Sequence, residues 1–276
     1  LEVHGGEIVA LVGESGCGKT ALCRAILMLH SAHARYLSGR ILLDGRDVRN
    51  CSEREMEQIR GKAASLVFQN PLSSLNPVYR IRAQMEEPMR RHLGMKEPGA
   101  LEARSRELLR EMGLPEPEEI LEKYPHQLSG GQRQRVAVAI ALAGDPSLII
   151  ADEPTTALDP ETGKMVMGLL RRVADEKQKG ILFVTHDLAV AAELADRVLV
   201  MKEGEILEQG TTEDIFARPK DAYTKKLVRC AEWVRGEALP RTLESVPEKK
   251  MLTSVRHLKV RYPGAPKPAL RDCSLD

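Results

Sequence analysis

An α/β fold with a mostly parallel sheet is what this 276-residue sequence predicts, and three observations carry the prediction. Short β-branched runs alternate along the chain with stretches of helical periodicity, the pattern of a parallel sheet flanked by helices. A glycine-rich segment joins the first such run directly to the first helical one. A later run, SLIIA at 147–151, ends in Asp152 and Glu153, which puts two acids at the carboxyl end of a buried strand.

Taken in order, Glu7 to Val12 (EIVALV) reads as a buried strand bounded by glycines. Gly13-Glu14-Ser15-Gly16-Cys17-Gly18-Lys19-Thr20 follows it and leads into the helical run ALCRAILML. Ser38 to Val48 alternates around an Asp-Gly turn and predicts a β-hairpin, and Ala63 to Gln69 predicts another buried strand. Ile81 to Tyr124 is charge-rich with helical spacing, broken by Pro115 and Pro117, and predicts a helical insertion. Leu128-Ser129-Gly130-Gly131-Gln132 opens a further helix, RQRVAVAIALAG. A helix near Glu161 to Lys177, a strand over Ile181 to Val184 and the strands VLVMKEG and EILEQG complete the alternation. KDAYTKKLVRCAEWV can form a helix, Gly236 to Lys250 reads as a charged linker, and Met251 to Asp276 begins a new strand pattern.

Composition narrows the function. With 42% hydrophobic residues the chain can build a substantial core, and a net charge of +1 argues against binding polyanions by bulk charge. Nine aromatic residues are too few for a surface that stacks successive bases. The cysteines, Cys17, Cys23, Cys51, Cys230 and Cys273, are odd in number without a C-x-x-C pair, which predicts reduced thiols rather than disulfides or a zinc site. No run of about 18 apolar residues occurs to span a bilayer. LEVHGGEIVALVGESG carries no basic leader or cleavage-type end, and reads as the interior of a longer sequence.

The chemistry begins with the glycine segment. A G-x-x-x-x-G-K-[ST] match between a strand and a helix turns backbone NH groups toward an anion. Gly13, Glu14, Ser15, Gly16, Cys17 and Gly18 would wrap the phosphates, Lys19 would reach the β and γ groups, and Thr20 would ligate Mg²⁺. Cys17 lies among NH groups and beside Lys19, surroundings of the type that activate a thiol, and the other reading is a small residue that merely fits the loop. Asp152, 133 positions beyond Lys19, would hold the metal, and Glu153 would polarise the attacking water. Ser129 and its glycines, at a helix N-terminus, form a second anion site.

Leu128 to Gln132, lying between these two motifs, resembles the signature of ATP-binding-cassette ATPases. The resemblance covers residues 5 to about 235 and implies a P-loop NTPase core with a mostly parallel sheet, an antiparallel β subdomain and a helical signature-motif subdomain at about 80–145. It also implies that Ser129, Gly130, Gly131 and Gln132 meet the nucleotide of another cassette. Gln69 matches the family's glutamine loop, which contacts metal and water, Asp159 the loop that communicates across the dimer, and His186 the histidine on the γ-phosphate. Family cassettes open with a strand and an adenine-stacking aromatic. This chain starts after them, so the domain at 1–235 lacks both. The tail at 251–276, with Leu258 and Val260 alternating and Tyr262 at the aromatic position, reads as the start of a second cassette after a linker at 236–250. A circular permutation is the other reading.

FQNPLSSLNP, the helical insert and FARPKDAYTKKLV resemble the ATPases of dipeptide, oligopeptide and nickel importers. Such a subunit would use ATP and Mg²⁺. Its partners would be a second cassette, permeases and, indirectly, an extracytoplasmic solute-binding protein, at the cytoplasmic face of the cell membrane, with no nucleic acid. No iron-sulfur cluster is expected. One alternative is a soluble cassette ATPase acting on ribosomes or DNA, but zinc-binding cysteines, heptad arms and a long inter-cassette linker are lacking. A small-molecule kinase would leave the signature and His186 without a role.

Overall fold

The computed structural model describes residues 1–30, 34–69, 75–156, 158–234, 255–260 and 270–275. The chain divides into two compact units, Leu1–Glu237 and Ala238–Asp276.

In the first unit β1 (Ile8–Val12) lies inside a six-stranded sheet with β4 (Ala64–Val67), β5 (Leu148–Asp152), β6 (Gly180–Thr185), β7 (Arg197–Lys202) and β8 (Glu205–Thr211), ordered β4-β5-β6-β1-β7-β8. The pairs from β4 through β7 are parallel and β7 with β8 is antiparallel. All five residues of β1 are buried, as the unbroken apolar run requires of a strand covered on both faces. On one face Val9 and Leu11 pack with Ile150, Leu182 and Val184 against α1 (Lys19–Ile26) and α2 (Glu53–Ile59). The opposite side is covered near β7 by α8 (Leu188–Leu194), α9 (Thr212–Ala217) and α10 (Ala222–Val234).

The helical insertion is realised as α3 (Ile81–His92), α4 (Pro98–Glu111) and α5 (Pro117–Glu122), which pack with α6 (Gly130–Ala143). Pro98 and Pro117 fall in the first turns of α4 and α5, where a missing NH costs nothing. α6 is buried nearly all round through Val136, Ala137, Val138, Ala139, Leu142 and Ala143, which its alanine-rich sequence permits. α7 (Pro160–Lys177) follows β5.

The predicted hairpin is much shorter than Ser38 to Val48: β2 (Leu42–Leu43) pairs with β3 (Arg46–Asp47). Asp44 and Gly45 between them take φ of 47° and 78°, the left-handed pair that a tight hairpin turn demands. In the second unit β9 (Val255–Val260) pairs antiparallel with β10 (Leu270–Leu275). The linker at 236–250 and Tyr262 lie outside the described residues.

Candidate active site

Four parallel strands that neighbour one another, β4, β5, β6 and β1, deliver the sequence-predicted groups from their carboxyl ends. This is the edge where open parallel sheets bind ligands.

After β1 the chain turns through Gly13 to Thr20 into α1. A Cβ at Gly13 would come within 2.2 Å of Met201 O, so only glycine fits there. Gly18 caps α1 with φ 110°. Lys19 is the first residue of α1 and is buried, its Nζ donating to Gly13 O at 2.7 Å and to Glu14 O at 3.0 Å. The ammonium is thus held inside the arch of the loop. Cys17 is also buried, its Sγ 3.9 Å from Lys19 Nζ, which limits the access of any reagent to the thiol. Burial, with Asp152 adding to it, pushes the Cys23 thiol up to about 12 and leaves it inert.

Asp152 ends β5 and is buried, and its Oδ1 has no hydrogen-bond partner. Burial raises its pKa, the neighbouring Glu153 charge adds to the rise, and the Thr20 hydroxyl and Lys19 oppose it. An orphaned carboxylate oxygen near a hydroxyl is a donor set that a hard divalent cation completes. Thr20 and Asp152 therefore fit Mg²⁺ on chemistry as well as on spacing.

Glu153 stands at φ 47°, a left-handed conformation costly for a non-glycine residue, and its backbone NH is fixed by Val184 O at 2.9 Å. Its carboxylate is fully engaged. Gln69 Nε2 donates to Oε2 at 2.9 Å, Thr156 Oγ1 donates to the same oxygen at 3.0 Å, and His186 Nδ1 lies 3.2 Å from Oε1. Gln69 follows β4 and His186 follows β6, so the flanking strands bring both to the end of β5. The sequence reading did not single out Thr156, although its place three residues after Glu153 was a usable signal.

A second group forms apart from these. Ser129 caps α6, its Oγ accepting from Gln132 N at 3.2 Å while Gln132 Oε1 accepts from Ser129 N at 3.0 Å. Gly130 and Gly131 make the first turn, where NH groups and the helix dipole favour an anion. Gly131 abuts α7, since a Cβ there would lie 2.7 Å from Thr162 Cγ2. Thr162 in turn donates to Asp159, from N at 3.0 Å and from Oγ1 at 2.7 Å, and these bonds hold the Asp159 carboxyl below its usual range. Among the described residues no hydrogen bond or ion pair joins Ser129, Gly130, Gly131, Gln132 or Asp159 to the phosphate loop.

Comparison with known proteins places this geometry among relatives. The ABC transporter family matches residues 1–156. The oligopeptide transport ATP-binding protein OppD of Lactococcus lactis subsp. cremoris (strain SK11) is 43% identical over 229 residues, covering 83% of this chain and 68% of that protein. The peptidoglycan transport ATP-binding protein YejF of Agrobacterium fabrum is 47% identical over 226 residues, with 81% and 41% covered. The glutathione import ATP-binding protein GsiA of Salmonella typhimurium is 37% identical over 289 residues, with 95% and 46% covered. The chain thus spans about two thirds of the first relative and under half of the other two. Among solved structures, a dimeric ATP-binding cassette in a post-hydrolysis state, bound to ADP and Pi, superposes with a TM-score of 0.68 at 32% identity, covering 77% of this chain and 88% of that one.

Proposed function

The chain belongs to the ABC transporter family, and from that premise we propose that it is the ATP-hydrolysing subunit of an importer, with peptides as the favoured solute class. The relatives named above are peptide, peptidoglycan and glutathione transport proteins, which favours import over the ribosome or DNA reading. Nickel has no such support.

The observation that carries the reading is the engagement of Glu153 by Gln69, Thr156 and His186 beside a loop that already holds Lys19. In this reading the loop NH groups and Lys19 bind and orient the triphosphate. Thr20, Asp152 and Gln69 would hold Mg²⁺, which when bound would offset phosphate charge. Glu153 accepts the proton of the attacking water, and His186 keeps its carboxylate aimed while contacting the γ-phosphate. Release of Gln69 and Thr156 from Oε2 frees an oxygen for that water. Ser129 to Gln132 and Asp159, standing apart from the loop, serve the nucleotide of a second cassette, so hydrolysis requires a dimer.

Next to Gln69, Phe68 lines a groove of about 450 Å³ with Leu29, Glu53, Glu57, Arg60 and Arg91. This is our choice for the permease contact, because movement there reaches Glu153 through one residue. Among the described residues no helix is long and apolar enough to cross a membrane. In this reading attachment at the cytoplasmic face comes through the permease, with a solute-binding protein acting beyond it.

The tail at 251–276 we assign to the start of a second cassette. The antiparallel pair β9 and β10 suits that opening, and the Salmonella alignment takes in 95% of this chain. Deleting 251–276 should leave ATP affinity unchanged; a loss of about 1–3 kcal/mol, the worth of an aromatic stacking platform, would instead make the tail part of this domain.

The transport reading is tested by reconstituting the chain with permeases encoded beside it and following peptide uptake into vesicles. ATP-dependent uptake is expected, abolished with Glu153→Gln. ATPase activity that copurifies with ribosomes and no permease would overturn it.

A further inference from the structure

The phosphate loop is also held from outside, by groups that the reading above does not use. In the turn between β7 and β8, Gly204 N donates to Cys17 O at 2.9 Å. On α10, the Tyr223 hydroxyl accepts from Glu14 N at 3.2 Å, across 209 residues of sequence. That amide belongs to the Gly13–Glu14 peptide, whose carbonyl accepts from Lys19 Nζ at 2.7 Å. A single peptide group therefore has the cation of the site on one side and a tyrosine hydroxyl on the other. Because the peptide is planar, fixing its NH direction fixes its carbonyl direction as well.

Tyr223 is itself held. Asp221 Oδ1 accepts from Tyr223 N at 2.7 Å, which sets the first turn of α10. The Glu208 carboxylate on β8 accepts from Lys220 N at 2.8 Å and from Asp221 N at 3.0 Å, tying that turn to the sheet. Lys202 Nζ lies 5.3 Å from the centre of the Tyr223 ring, within the range of a cation–π contact. The hydroxyl therefore meets the loop at a position defined by two strands and a helix start. A tyrosine that merely covered surface would need none of these restraints.

We propose that Tyr223 is a positioning residue for nucleotide binding: its hydroxyl fixes the Gly13–Glu14 peptide so that Lys19 is aimed at the phosphate site before ATP arrives. The proposal rests on the nucleotide-site reading above and extends it to the carboxyl-terminal helix. The hydroxyl satisfies a loop amide for which no other partner is found among the described residues. A net hydrogen bond of this type corresponds to about a three- to tenfold change in affinity.

The test compares Tyr223→Phe with Lys19→Ala in the full chain, by titration with Mg-ATP and by hydrogen exchange. Phenylalanine keeps the ring under Lys202 and removes only the hydroxyl. The Kd for ATP is expected to rise about three- to tenfold, with kcat at saturating ATP within about twofold of the parent. The Glu14 amide should exchange faster while the amides of Val9 to Val12 stay protected. Parent values for both Kd and Glu14 exchange, with or without a lowered melting temperature, would overturn the proposal, and so would a fall in kcat at unchanged Kd. If Lys19→Ala also leaves affinity unchanged, the nucleotide-site reading is what fails.

Discussion

Gln69 Nε2 and Glu153 Oε2 stand 2.9 Å apart although 84 residues separate them in sequence. They meet because β4 and β5 are adjacent parallel strands and both residues lie just beyond the strand ends. Glu153→Gln keeps a side chain of the same shape that cannot take a proton. Turnover should fall by roughly 10²–10⁴ while ATP binding survives, and the ATP-bound dimer should become visible by size-exclusion. Parent-rate phosphate release from the variant would remove Glu153 from the role of base.

Lys19→Ala deletes the buried ammonium and leaves Gly13 O without its donor. Affinity for ATP should drop about tenfold or more, from a loss of about 1.5–3 kcal/mol. Calorimetry checks this, and an unchanged Kd counts against the phosphate loop.

Asp152→Asn separates stability from function. The native carboxylate is buried with Oδ1 unpartnered and its charge disfavoured, so the nucleotide-free chain should melt at a higher temperature when that charge is removed. The same variant should lose most of the thermal shift that Mg-ATP gives the parent. A melting temperature below the parent's would contradict this account.

Ser129 has two jobs that one pair of variants can divide. Ser129→Ala removes the cap of α6 and should cost about 1 kcal/mol of stability. Ser129→Asp keeps a capping oxygen but sets a carboxylate where a phosphate is to be received, so stability should stay within about 0.5 kcal/mol while dimer-dependent hydrolysis collapses. Equal ATPase rates for Ser129→Asp and the parent would exclude the anion role.

His92 closes α3 with its Nδ1 buried and unpartnered, and a Cβ at Gly61 would lie 2.6 Å from its Nε2. Burial lowers its pKa, with Arg91 and Lys62 acting in the same direction and Glu87 against it. The native state thus binds the proton less readily than the unfolded chain. The stabilisation is complete above the unfolded value near 6.5 and is lost as pH falls through the lower native value. His92→Gln should flatten this slope in denaturant titrations between pH 5 and about 7; an unchanged slope would assign it to other groups.

The chemistry was legible wherever local backbone geometry demands particular residues. Gly13 to Thr20 announces itself because a strand, a tight loop and a helix leave little choice at each position, and Ser129 to Gln132 because a capped helix start does the same. Asp152 and Glu153 follow from the end of one apolar run. The hairpin at Ser38 to Val48 was overextended, because alternation marks which residues can pair without saying how many find a partner. Thr156 and Tyr223 were missed for different reasons. Thr156 is local but ordinary in type, whereas Tyr223 reaches Glu14 only through the placement of α10 on the sheet, which no spacing encodes.

The place of β1 between β6 and β7 also has a consequence for biosynthesis. The strand that launches the phosphate loop leaves the ribosome well ahead of its hydrogen-bonding neighbours, which begin only at Gly180 and Arg197. At about 5–20 residues per second, those neighbours follow roughly ten seconds or more behind it. Until they emerge, Ile8 to Val12 is an apolar segment with both edges unpaired, and the loop beyond it has no frame. The nascent chain therefore passes through a long interval in which it cannot bind nucleotide and is most open to chaperones and to aggregation.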